Sequence, residues 1–188
     1  VRWDRKLPAP RAAKQRDWAV RMDDGSIVFG RDLPAGVAGP DDQITGWTTS
    51  GNWIVEPDGV LAIQPREGER GWKRYGDYLW SEREYADFIL DLQYNYPAGG
   101  NSGVFFRVGD RSDPVKTGIE CQILDSSKKQ GAMTHHDHGG IIATVGASKN
   151  MSREPGVWNR MIVMMRAGHL TVDLNGQNII DIHLDETP

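Results

Sequence analysis

The sequence predicts an all-β chain folded as an antiparallel sandwich, on three observations. Residues 101–107 (Asn-Ser-Gly-Val-Phe-Phe-Arg) and 118–125 (Gly-Ile-Glu-Cys-Gln-Ile-Leu-Asp) alternate with period two, as half-buried strands do. Twenty-two glycines and ten prolines suit many short strands joined by turns. Asn175-Gly176 stands between two alternating runs, the strongest short-range hairpin signal. At 188 residues the chain is long enough for one domain with a sizeable core.

Taken in order, residues 1–21 read as an extension. They hold seven basic groups (Arg2, Arg5, Lys6, Arg11, Lys14, Arg16, Arg21) against Asp4 and Asp17, a net +5 that leaves −9 for the rest. Pro8 and Pro10 argue against a regular helix there. Residues 22–188 read as a single sandwich domain. Trp53-Ile54-Val55 runs through the turn signal Glu56-Pro57-Asp58-Gly59 into Val60-Leu61-Ala62-Ile63. A loop rich in charge and aromatics (Trp72, Tyr75, Tyr78, Trp80) fills 64–80. Phe88, Leu90, Leu92, Tyr94 and Tyr96 then alternate with Ile89, Asp91, Gln93 and Asn95 on a clear strand, and Pro97-Ala98-Gly99-Gly100 turns it into the 101–107 segment. The longest irregular region, 125–155, contains His135-His136-Asp137-His138-Gly139-Gly140. Strands close the chain at 160–166, 169–174 and 177–183. No persuasive amphipathic helix or internal repeat is visible.

In the two central segments Val104, Phe106 and Val108 point one way, Phe105 and Arg107 the other; Ile119, Cys121 and Ile123 oppose Glu120 and Gln122. The plainer reading is an ordinary solvated sheet face with hydrocarbon beneath it. The sharper reading is a rigid sheet that offers Arg107, Glu120 and Gln122 to a ligand. Cys121, on the apolar face, reads as a small buried hydrophobe, and as the only cysteine it excludes an internal disulfide. A formal charge of −4 gives no support for nucleic-acid partners, and no apolar run approaches membrane-spanning length.

The 101–107 and 118–125 segments, Trp158-Asn159 and Leu174-Asn175-Gly176, in that order and spacing, resemble the 3-keto-disaccharide hydrolase family. Phe29-Gly30-Arg31-Asp32-Leu33, Gly46-Trp47 and Asp87-Phe88 extend the likeness from about Ser26 to the C-terminus. The resemblance implies a concanavalin/lectin-like jelly-roll sandwich with long rim loops and little helix, in a secreted or periplasmic protein, although no signal peptide is visible. Three positions depart from the family pattern: Gly30 follows Phe29 directly, Val157 replaces a carboxylate before Trp158, and Ile142 stands where relatives carry a Tyr. The latter two touch the expected cleft rim.

The resemblance also implies a reaction. A ketone at C3 of a glycoside acidifies the C2 hydrogen; a base removes it, the charge passes into the enolate, and the C1 substituent leaves, after which water can add. Glu120 is the expected base, Arg107 the partner of the enolate oxygen, and His136 or His138 the acid for the leaving group. Gln122 and Asn101 on the sheet, Trp72, Tyr75 and Trp80 as aromatic platforms, and His135, Asp137 and Lys149 on the rim are the expected contacts to an oligosaccharide or glycoside. No cofactor is expected. A divalent metal at the His135–His138 loop is the alternative, although adjacent loop residues lack the shared face of a helical His pair. Trp47 and Trp158 read as core, and Asn159 and Asn175 as backbone-bonding residues. The competing function is a non-catalytic carbohydrate-binding module, which needs aromatics and hydrogen bonds but no matched acid and base. A conventional sandwich glucanase is disfavoured because no Glu-x-Asp-x-x-Glu run occurs, and a calcium-stabilised adhesion domain lacks an acidic cluster.

Overall fold

The computed structural model describes residues 19–21, 27–29, 46–49, 53–56, 60–63 and 78–184. Trp72 and Tyr75 lie outside them. The backbone groups into two units, Val1–Glu84 and Tyr85–Pro188. All the strand pairings among the described residues are antiparallel, and the one helix among them is a four-residue turn, so the chain is all-β as the alternation predicts.

The first unit carries three short ribbons. Strand β1 (Ala19–Arg21) pairs with β2 (Ile27–Phe29), β3 (Trp47–Thr48) with β6 (Trp80–Ser81), and β4 (Trp53–Val55) with β5 (Leu61–Ile63). Ala19–Arg21, counted with the basic extension from its composition, is thus a paired strand. Trp80 is half-buried, and its ring stacks on Tyr78 with centroids 5.5 Å apart.

The second unit has two layers. One is a four-stranded sheet in the order β12 (Gln177–His183), β11 (His169–Leu174), β10 (Asn159–Arg166), β7 (Phe88–Tyr94). The other is the pair β8 (Asn101–Phe106) and β9 (Ile119–Leu124), separated by the helical turn α1 (Pro114–Thr117) and widened on its far side by the bridge Cys121–Ile141. Alternation sends Met161, Val163 and Met165 of β10 inward with Leu170, Val172 and Leu174 of β11, all buried. Phe106, Cys121, Ile123 and Ile141 meet them from the other layer. The Cys121 thiol lies 3.7 Å from the Met161 sulfur, and the Phe88 and Phe106 rings meet edge-on at 5.8 Å. This dry interface fixes which face of β9 looks inward, and therefore where Glu120 and Gln122 point.

Side-chain amides fasten the β10 entrance. Asn159 is fully buried; its oxygen accepts from the Arg153 backbone N–H at 3.1 Å and from Asn175 Nδ2 at 2.9 Å. Asn175, at φ 52 in the β11–β12 turn, also donates to the Met151 carbonyl at 2.7 Å. Both asparagines are the backbone-bonding residues their type suggests.

Candidate functional site

The site is built on the face of β9 turned away from the core. In the β8–β9 ladder Glu120 stands opposite Phe105 and Gln122 opposite Gly103. On the other side of β9, Gln122 N–H donates to the Gly140 carbonyl at 2.8 Å and Ile142 N–H to the Glu120 carbonyl at 2.9 Å. With Ile141 bridged to Cys121 on the core side, Gly140 and Ile142 share the outer face with Gln122 and Glu120. Two rows result: Phe105–Glu120–Ile142, and beside it Gly103–Gln122–Gly140.

The two glycines make room for what lies over them. A Cβ on Gly103 would stand 2.1 Å from Glu120 Oε1, so the carboxyl leans away from Phe105 and lies across Gly103, toward Gln122. A Cβ on Gly140 would stand 2.7 Å from the His135 carbonyl oxygen and 2.8 Å from that of Thr134, so the 134–135 backbone walls the other side. Gln122 sits between, only 7 % exposed, and its Oε1 is buried without a hydrogen-bond partner. A half-buried polar strand of this kind is not a solvated sheet face. Leaving water pushes the Glu120 carboxyl up to about 7, and among the described residues no cation pulls it back.

The other expected residues divide sharply. Asn101 is exposed at the start of β8, two positions from Gly103 and on the same face. Arg107 is exposed just beyond β8 with φ 51, so the strand is broken there and alternation no longer fixes the direction of its side chain. Among the described residues no ion pair joins it to Glu120. Lys149 is exposed and donates to Gln177 Oε1 at 2.7 Å, which commits it to the β11–β12 hairpin.

The histidine run comes apart. His138, expected on the rim as an acid, is wholly buried: Tyr94 Oη bonds its Nε2, and its Nδ1 lies 3.0 Å from Ser152 Oγ and 3.5 Å from Tyr96 Oη. Burial lowers it to about 4 and drives the Tyr94 hydroxyl well up, so a neutral imidazole accepts from a protonated phenol and donates onward from Nδ1. A side chain sealed in this way is not placed to protonate a leaving group, contrary to the acid role expected of His138. Asp137, expected to touch sugar, is 8 % exposed and accepts from Thr134 N–H at 2.7 Å, Thr134 Oγ1 at 2.8 Å and Lys129 Nζ at 3.3 Å. Burial raises its carboxyl, but those donors outweigh it and the balance is downward. It is a clamp on the 134–137 turn. His135 accepts from the Ala143 N–H at 3.0 Å through Nδ1, which leaves the proton on Nε2, and the exposed His136 ring lies 4.0 Å away. No group of three or more His, Cys, Asp or Glu that could hold a metal ion lies among the described residues.

A cleft of about 470 Å³ opens beyond β9, lined among others by Ala98, Leu124, Asp125, Lys128, Asp137 and Glu154. It contains neither Glu120 nor Gln122. Asp125 is engaged by Gly99 N–H and Ser127, and Asp137 by Thr134 and Lys129. The candidate site is the outer face at Glu120, where among the described residues neither its carboxyl nor the buried Gln122 Oε1 has a hydrogen-bond partner. The sequence missed Gly103 and Gly140, although glycine inside a strand pattern is a signal of close approach. No sequence signal separates the buried His138 from its neighbours.

A family profile described as the 3-keto-alpha-glucoside-1,2-lyase-like domain matches residues 39–188. A curated 3-keto-disaccharide hydrolase from Bacteroides thetaiotaomicron is 22 % identical over 147 residues, covering 70 % of this chain and 50 % of the relative. The chain thus spans half the length of that relative. Crystal structures of candidate glycosyl hydrolases from Parabacteroides distasonis are also similar. One is 30 % identical with a TM-score of 0.52, covering 56 % of this chain and 55 % of the other. A second is 23 % identical with a TM-score of 0.63, covering 76 % and 69 %, and it carries the fold alone.

Proposed function

The chain belongs to the 3-keto-alpha-glucoside-1,2-lyase-like family, and from that membership we propose that it cleaves 3-keto-glycosides, with Glu120 taking the proton from C2. The observation that carries this reading is the Glu120 carboxyl itself: it is set on a rigid strand, laid over Gly103, and raised to about 7 by loss of water. A base is most effective when its pKa lies near the working pH, where the ionised form is available and still basic. An ordinary surface glutamate would be too weak a base for a carbon acid.

In the proposed reaction the C2–H bond breaks and its electron pair enters the C2–C3 enolate. Arg107, exposed beyond the end of β8, turns in over the bound sugar to meet the charge that develops on the former ketone oxygen. The C1–O bond then breaks as the enolate collapses, and the departing oxygen gains a proton. With His138 in the core, that proton comes from the exposed His136. Water adding across the resulting double bond completes a hydrolysis; without it the product is unsaturated. Asn101 contacts the sugar from β8. A protein of this family is expected to act where glycosides are met outside the cytoplasm.

Parallel incubation with 3-keto and unmodified glycosides tests the reading. Product should form only from the keto series. Tight binding of both series with turnover of neither would point instead to a carbohydrate-binding module.

A further inference from the structure

One buried polar atom in the site has no partner. Gln122 Oε1 is out of reach of water and of every donor among the described residues, while its side chain as a whole keeps 7 % exposure. A buried acceptor left unmade costs stability, so it calls for an explanation. Its surroundings say what the use is. Gly103 and Gly140 flank Gln122 in one row, and the Glu120 carboxyl reaches over Gly103 toward it. The amide therefore stands beside the group proposed to act on C2.

The geometry points to Gln122 as the residue that selects substrate: its amide oxygen accepts a hydrogen bond from the 4-hydroxyl of the oxidised ring. This rests on the reading of the site as one for 3-keto-glycosides. A ketone oxygen is an acceptor and cannot serve another acceptor, so the carbonyl at C3 lies away from Gln122. Of the two carbons beside the ketone, C2 turns its C–H bond to the base and keeps its own hydroxyl on the Glu120 side; the hydroxyl past the ketone, facing an acceptor in the next row, is on C4. Glu120 and Gln122 are two residues apart on one face, about 6.6 Å along the strand, and the carboxyl leans over Gly103 into the row of Gln122. The terminal amide torsion is soft, so a small turn carries the oxygen from the floor of the site to an arriving donor. A sugar without that hydroxyl leaves the oxygen as lonely as before.

The test compares a 3-keto-disaccharide with its 4-deoxy analogue on the wild-type protein, which needs no variant to fold. The expected result is a fall of about 10²-fold or more in kcat/KM for the deoxy compound, as for sites built to bond a substrate hydroxyl. In Gln122→Met the parent substrate falls to the same level and the preference between the two vanishes, while the melting temperature is unchanged or higher because the unpaired oxygen is gone. Equal kcat/KM for the two compounds on the wild type, or an undiminished preference in Gln122→Met, overturns the assignment and leaves the reaction standing. If neither compound is cleaved, the reaction falls, and calorimetric binding of the same pair still decides: equal affinities overturn the role of Gln122.

Discussion

The Glu120 carboxyl holds its proton to about pH 7 because burial takes it out of water, and this gives activity and stability opposite slopes with pH. The ionised form is the proposed base, so kcat/KM should rise through a limb centred near pH 7. Glu120→Gln should lose about 10²–10⁴-fold in kcat/KM and the limb with it; a variant that keeps the wild-type profile removes Glu120 from the role. For stability, the folded group binds a proton between about pH 4.5 and 7 that the unfolded chain has already released. Folding therefore weakens as pH rises through that window. Glu120→Gln should lack this loss, which denaturant melts at pH 5 and pH 8 would show.

At the scale of the element, the polar face of β9 depends on glycines in the segments beside it, and the two respond differently to a methyl group. In Gly103→Ala the new Cβ meets the far end of a flexible side chain, which can swing aside. The fold should survive with kcat reduced, because the carboxyl is no longer held over the strand. In Gly140→Ala the Cβ meets two backbone carbonyls, which cannot move without shifting the 134–135 turn. That variant should lose about 1–3 kcal/mol of stability, as overpacked sites do. Melting temperature and kcat measured on both separate the effects; a Gly103→Ala protein with full activity would show that the carboxyl does not need its present lie. These dependencies explain what the sequence could and could not tell. Strands β7 to β12 were legible because alternation over six or more residues is a property of the segment itself. Strands β3 and β6, two residues each, carry no period to read. Arg107 looked like the next outward residue of β8, but a positive φ ends the alternation one position earlier.

For the molecule as a whole, the 125–155 region was the least legible part. Its order comes from contacts distant in sequence. His138 reaches back to Tyr94 and Tyr96, and Asn150 donates to the Ser126 carbonyl at 2.7 Å. A run of imidazoles gives no hint of which one the core will take. The consequence is global. His138 is lowered to about 4 by burial, whereas the unfolded chain protonates it near 6.5, so the unfolded state binds the extra proton between those values. Stability should fall as the pH drops from about 6.5 to 4, by on the order of 3 kcal/mol. His138→Gln, itself less stable at pH 7.5, should show a smaller acid loss in urea titrations; an equal loss would place the acid sensitivity elsewhere.

The thiol packed against Met161 has a practical use. Cys121 has no exposed surface and its pKa is pushed up to about 12, so the native protein offers alkylating or disulfide reagents neither access nor thiolate. Modification then waits for β9 to leave the sandwich. The rate at which a colorimetric reagent titrates this single sulfur should measure the opening of β9 directly, and a sugar that slows it is one that grips that strand.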